Sequence, residues 1–244
     1  LYYYCFAFVF VSCICLFFSF YFNLFLFYFI YLFICLFVFF FFFFFQAEDG
    51  IRDAQESRGL GDVYRDRGSP AMVTQQLPWM KKLEVDVLRL AKNSIPTLGI
   101  CFGHQLIANA FGGDVAENPK GLEIGTMTVR RTHESHTDPI FSTLPMQFDA
   151  HTIHFQSVVS APDNATILAS NDMENHHAFR IGETTWGVQF HPEFSTNVMR
   201  TILYDNRQHL SQAELEQKLN RTTDTINAQS ILPKFNQLVL KSIY

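Results

Sequence analysis

The chain has 244 residues and a formal net charge of −5, enough length for one or two ordinary domains. No basic run or patch stands out, so a nucleic-acid partner has no electrostatic support. One Cys remains once the first 45 residues are set aside, which excludes a disulfide-built scaffold.

Residues 1–45 hold 19 of the 28 Phe, six of the nine Tyr and four of the five Cys, and no charged residue. A helix of that length would be roughly 68 Å long against a hydrocarbon core of roughly 30 Å. Only Asn23 could turn such a segment into two spans. It is also too long for a signal peptide and lacks a charged start. Apart from Ala7 and Asn23, every residue from 1 to 45 is Phe or one of its single-base codon neighbours. That composition is expected of a T-rich nucleotide tract read as codons, ending in Phe39–Phe45. Gln46–Asp53 (QAEDGIRD) and Glu56–Tyr64 (ESRGLGDVY) then resemble translated sequencing adapters, with Arg65-Asp66-Arg67 as a frame-slipped continuation. The expectation is that 1–67 is an assembly artefact rather than a membrane anchor with a polar linker. The domain reading therefore runs from Gly68: 68–210 as one domain and 211–244 as a C-terminal helical extension.

Gly68-Ser69-Pro70 is a loop signal. Leu77, Met80, Leu83, Val87, Leu88 and Ala91 recur at helical spacing and predict an amphipathic helix over 75–92. Pro96–Ile100 suits a short buried strand, and His104–Phe111 suits a helix closed by Gly112-Gly113. Strand-like runs follow at 124–130, 147–154, 165–170, 177–181 and 185–190. Helices are predicted at 197–207, after a Ser211–Glu214 capping box, and at 228–243. Early strand–helix alternation predicts an α/β fold, a parallel sheet flanked by helices with a small antiparallel extension.

Gly99-Ile100-Cys101-Phe102-Gly103 has the spacing of a nucleophile elbow with Cys in the reactive place, between an apolar strand and a helix. Small flanking residues suit a turn too tight for side chains. The helix N-terminus favours thiolate. Gln189-Phe190-His191-Pro192-Glu193-Phe194 follows another apolar strand and offers an imidazole with a carboxylate to orient it, one ring nitrogen facing Cys101 and the other Glu193. His133, Glu134 and His136 are read as a solvated loop. His176-His177 could suggest a metal, but no Cys or carboxylate has convincing ligand spacing with it, so neither a metal nor a cofactor is expected.

GICFGHQ at 99–105 together with GVQFHPEF at 187–194 resembles the class I glutamine amidotransferases, most of all their GMP-synthase-type branch, over about 68–205. The resemblance implies a flavodoxin-like sheet, Cys101 as nucleophile, His191 as general base and acid, and Glu193 as the orienting carboxylate. It implies an oxyanion hole from the backbone N–H groups of Gly68 and Phe102, and glutamine binding by Gln105, His154 and Phe155. Lys120–Gly125 and His154–Val158 match pocket-lining segments, with Gln156 where the family more often has Asp. The implied reaction is hydrolysis of the glutamine side-chain amide, in the cytoplasm. No phosphate-binding loop accompanies it, so the expected partner is a separate ATP-dependent synthetase, unless the protein stands alone. A γ-glutamyl peptidase using the same three residues, and a non-catalytic binding module of the same fold, are the alternatives. The family's strand before Gly68 would be absent here, leaving the 96–100 strand with an unpaired edge.

Overall fold

A computed structural model describes residues 71–243. The expectations for 1–67 and for Gly68 lie outside the described residues. A 3₁₀ turn, Val73–Gln75, leads into α1, Pro78–Lys92. Pro78 sits at the first helical position, where a missing N–H costs nothing, so α1 starts three residues later than the periodicity alone suggests. Its Met80 and Val87 are fully buried, while Leu88 stays exposed.

The order continues β1 (Thr97–Ile100), α2 (Phe102–Ala110), β2 (Asp114–Glu117), β3 (Glu123–Arg131), β4 (Gln147–His154), β5 (Gln156–Ser160), β6 (Ala165–Ser170), β7 (Ala178–Ile181) and β8 (Thr185–Val188). Helices α3 (Thr196–Asp205), α4 (Gln212–Arg221), α5 (Ile226–Gln229) and α6 (Ile231–Ile243) follow. The strands form a six-stranded sheet ordered β1-β8-β7-β6-β3-β4 and a separate β2-β5 pair. The α/β class is as expected. Among the described residues, however, only β1 and β8 pair in parallel; every other pairing is antiparallel. Among the described residues β1 pairs only with β8.

Alternation along the strands divides the core. Leu98, Trp186 and Val188 join Phe141, Phe148 and Phe190 on one face, closed by Ala228, Ile231 and Phe235. Phe179 and Ile181 face the other way, onto Val87 of α1 and Leu106 and Ile107 of α2. A third cluster, Ile124 with Met199, Leu203, Leu215 and Leu219, seats α3 and α4 on β3. The capping box is present: Ser211 N–H donates to Glu214 (2.8 Å), and Glu214 N–H to Ser211 Oγ (3.2 Å). Lys218 Nζ donates to the Ile124 carbonyl at 2.9 Å. The segment from 211 onward thus packs into the same body as the sheet. The helix expected over 228–243 is divided at Ser230 into α5 and α6.

The strand–helix junction depends on two glycines that pair across β1 and β8, Gly99 and Gly187. A Cβ on Gly99 would lie 2.5 Å from the Gly103 backbone and from Ile107 Cδ1; on Gly187 it would lie 2.6 Å from His104 Nδ1. Gly103, by contrast, has open space for a Cβ. The tightness expected on both sides of Cys101 is therefore confined to the strand side. Gly99→Ala should lower stability by about 1–3 kcal/mol, whereas Gly103→Ala, in a helix, should be neutral or slightly stabilising. Thermal unfolding of the two variants checks this contrast.

Candidate active site

Cys101 follows β1 directly and caps α2 with φ 50° and ψ −102°, in the left-handed half of backbone space that a non-glycine residue enters only under constraint. Its N–H donates to the Val188 carbonyl at 2.8 Å, which ties the turn to β8. Phe102, next in the chain, opens α2; a helix's first N–H groups have no intrahelical acceptor. Since β1 and β8 are parallel, the chain leaving β8 emerges on the same side of the sheet. His191 is held there by its N–H to the His151 carbonyl of β4 at 2.8 Å.

His191 Nδ1 lies 2.7 Å from Glu193 Oε1. A carboxylate accepts, so Nδ1 carries the proton and Nε2 is left for Cys101. The Phe194 ring stacks on the imidazole, centroids 4.0 Å apart and planes within 5°. Burial on its own would lower the affinity of His191 for a proton. The charges of Cys101 and Glu193 outweigh it and push the pKa up to about 10.

The sulfur has two further polar neighbours. The Ile153 carbonyl stands 3.6 Å from Sγ and Gln189 Nε2 stands 3.5 Å from it. Gln105 does not turn its amide nitrogen outward: Nε2 donates to the Gln156 carbonyl (2.6 Å) and to Gln189 Oε1 (3.0 Å). Gln156 Nε2 donates to Thr74 Oγ1 at 2.7 Å, linking the turn before α1 to the site. Phe155 sits between β4 and β5, its ring edge-on to His209 at 5.6 Å.

His154 is not available to a ligand through its side chain. It is buried, with Nδ1 2.9 Å from the Gln156 carbonyl and Nε2 2.7 Å from Glu123 Oε2. Flanked by two acceptors, the ring satisfies both only by donating from both nitrogens. His177 Nε2 approaches the same Glu123 oxygen at 3.3 Å, and Asn171 Nδ2 donates to Glu123 Oε1. Burial alone would raise the Glu123 carboxyl; the two histidines hold it well below the usual carboxylate range. His104, on α2, has Nε2 3.7 Å from Glu174 Oε1, and burial keeps it neutral despite that neighbour.

Among the described residues, Glu123, His154 and His177 are also the group that could most nearly hold a cation. Two ligands of one tetrahedral zinc lie roughly 3.3 Å apart, however, and the 2.7 Å contact is a hydrogen bond. The sequence pointed to His177 only beside His176, because Glu123, the carboxylate it faces, lies 54 positions away along the chain, and His154 on the same carboxylate lies 31 positions from it. Gln189 and Phe194 stood inside a quoted motif without a role. His133, Glu134 and His136 are exposed, as expected.

Residues 69–209 match the family described as glutamine amidotransferase class-I, more than half of the chain. The chain belongs to that family. Within it, a GMP synthase (glutamine-hydrolysing) subunit of Methanococcus vannielii is 39% identical over 108 residues, 43% of this chain and 55% of that protein. Gamma-glutamyl peptidase 3 of Arabidopsis thaliana is 29% identical over 170 residues, 68% of each chain. A crystal structure of a glutamine amidotransferase from Thermotoga maritima shares the fold, with a TM-score of 0.57 at 21% identity over 68% of this chain and 71% of that one. The chain spans about half the length of the curated relatives it matches first. Among its described residues no helix is long and apolar enough to cross a membrane.

Two outcomes follow for this site. In Glu193→Gln one of the two charges sustaining the imidazolium is gone, so the His191 titration followed by NMR should move down from about 10. In folded protein the raised pKa stabilises at low pH and is lost as pH rises through it, so the variant should lose less stability between neutral pH and pH 10. Glu123→Ala, which strands two buried histidines, should cost about 3–5 kcal/mol in chemical unfolding.

Proposed function

We propose that this chain hydrolyses the side-chain amide of glutamine to glutamate and ammonia, with Cys101 as nucleophile, His191 as proton carrier and Glu193 as its orienting carboxylate. The observation that carries the reading is the His191–Glu193 pair, with Nδ1 fixed on the carboxylate at 2.7 Å and Cys101, on its strained elbow, among the charges acting on the imidazole. The Cys101 sulfur attacks the amide carbon, and the oxyanion is met by the Phe102 N–H, with Gly68 as the second donor by family resemblance. His191 gives its proton to the departing nitrogen and ammonia leaves. Water, losing a proton to Nε2, attacks the thioester; the carbon–sulfur bond breaks and glutamate is released.

The relatives named as one subunit of a GMP synthase support a partner role: ammonia passed to a separate ATP-dependent synthetase. The proposed compartment is the cytoplasm, where a reduced Cys101 and free glutamine occur together. A second reading, cleavage of γ-glutamyl peptides by the same chemistry, is supported by the similarity to Gamma-glutamyl peptidase 3 along 170 residues. The first half of the reaction is common to both, so the leaving group separates them.

Ammonia release from glutamine and cleavage of γ-glutamyl dipeptides should be assayed side by side. Glutamine turnover with little dipeptide cleavage is the expected result. Cys101→Ala should remove turnover altogether, and His191→Ala should come close, since such groups act as a unit. Glu193→Gln should be milder. Turnover surviving in Cys101→Ala would overturn the assignment.

A further inference from the structure

We infer that Gln189 is a further catalytic residue, whose side-chain N–H donates to the Cys101 sulfur and stabilises it as the thiolate. The inference rests on the reading of Cys101 as the nucleophile, but its geometry stands separately. Gln189 is fully buried, and its Nε2 lies 3.5 Å from Sγ.

An amide can face a sulfur with its oxygen or its nitrogen, and the two choices have opposite effects on a thiolate. Here the choice is forced from outside the pair. The Gln156 backbone carbonyl can only accept, so the Gln105 group 2.6 Å from it is the NH₂. That same NH₂ lies 3.0 Å from the Gln189 side chain, which must therefore present its oxygen there. Its nitrogen is then the end that meets the sulfur. The chain of donors runs from a fixed carbonyl through two buried amides to Sγ, and no link can flip alone without placing two like groups together.

The donor answers a specific need. On its other flank the sulfur meets the Ile153 carbonyl at 3.6 Å, an acceptor that suits S–H and opposes S⁻. His191 opposes that carbonyl only while it keeps its proton, which it loses as pH rises through about 10. A neutral amide holds its N–H throughout. The titratable groups on the elements around the sulfur are His191 and Glu193 beyond β8, Asp149, His151 and His154 on β4 and His104 on α2, with burial lowering both His151 and His104. Gln189 adds a donor that none of them supplies at all pH values. Its place in an apolar run, between Val188 and Phe190, is otherwise costly for an amide.

The test is the pH dependence of iodoacetamide alkylation at Cys101, located by peptide mass spectrometry in the full chain. It needs no glutamine and so does not depend on the assigned reaction. Gln189→Glu keeps the acceptor for Gln105 but turns an oxygen to the sulfur. Gln189→Met removes the donor at similar volume. A hydrogen bond to a charged group is worth about a tenfold to hundredfold change in equilibrium. Both variants should therefore alkylate about tenfold or more slowly at neutral pH, recover the same limiting rate at high pH, and show a midpoint moved upward. Gln105→Met, which frees the Gln189 amide to turn, should move the midpoint in the same direction by less. An unmoved midpoint in whichever Gln189 variant melts cooperatively overturns the inference. A moved midpoint in a protein that releases no ammonia from glutamine would instead keep Gln189 and remove the assigned reaction.

Discussion

The close seating of α2 on the β1/β8 pair is the contact on which the site depends. Gly99 and Gly187 lie side by side in adjacent strands, and with no side chain on either the helix backbone at Gly103 and the ring of His104 sink against the sheet. That approach forces the chain to turn within one residue between strand and helix. Cys101 is that residue, and its positive φ is the visible cost. A methyl group on either strand would lift the helix and relax the turn, and the sulfur would no longer project from the sheet end.

Parallel pairing of β1 with β8 supplies the second half. Both strands release their chains on one side of the sheet, where open α/β folds collect their chemistry. From there the antiparallel part does the fixing: the His151 carbonyl of β4 anchors the His191 backbone, and the Ile153 carbonyl of the same strand reaches the sulfur. Beneath this layer lies the Glu123–His154–His177 cluster, whose buried charge and hydrogen bonds pin β3, β4 and the entry to β7. Burying a carboxylate without such partners would be strongly unfavourable. The end of β4 is thus set by interior electrostatics as much as by strand pairing.

The parts legible in the sequence are those whose partners are close along the chain. The elbow is five consecutive residues, and His191 and Glu193 are two apart. Six of the strands alternate or run apolar for long enough to declare themselves. The unannounced parts depend on distant partners. β2, Asp114–Glu117, is polar and half exposed, and it is a strand only because β5 lies beside it. The balance of parallel and antiparallel pairing is a property of topology, which local periodicity does not carry. Glu123 and His177 acquire meaning only when 54 positions of chain are folded back. Gln189 reads as one polar interruption in an apolar strand, and its partner is 88 positions away.

The two tryptophans of the chain stand in contrasting places. Trp186 is buried on β8, with its Nε1–H on Asp138 at 3.1 Å and its ring edge-on to Phe235 of α6. Trp79, 40% exposed on α1, lies 5.6 Å from the ring of Phe102, the residue that follows the sulfur-bearing turn. The molecule therefore carries one emitter embedded in its core and another at the lip of the site. Their fluorescence differs in polarity and quencher access, so loosening of the interior and changes near the sulfur can be followed separately in one spectrum without any added label.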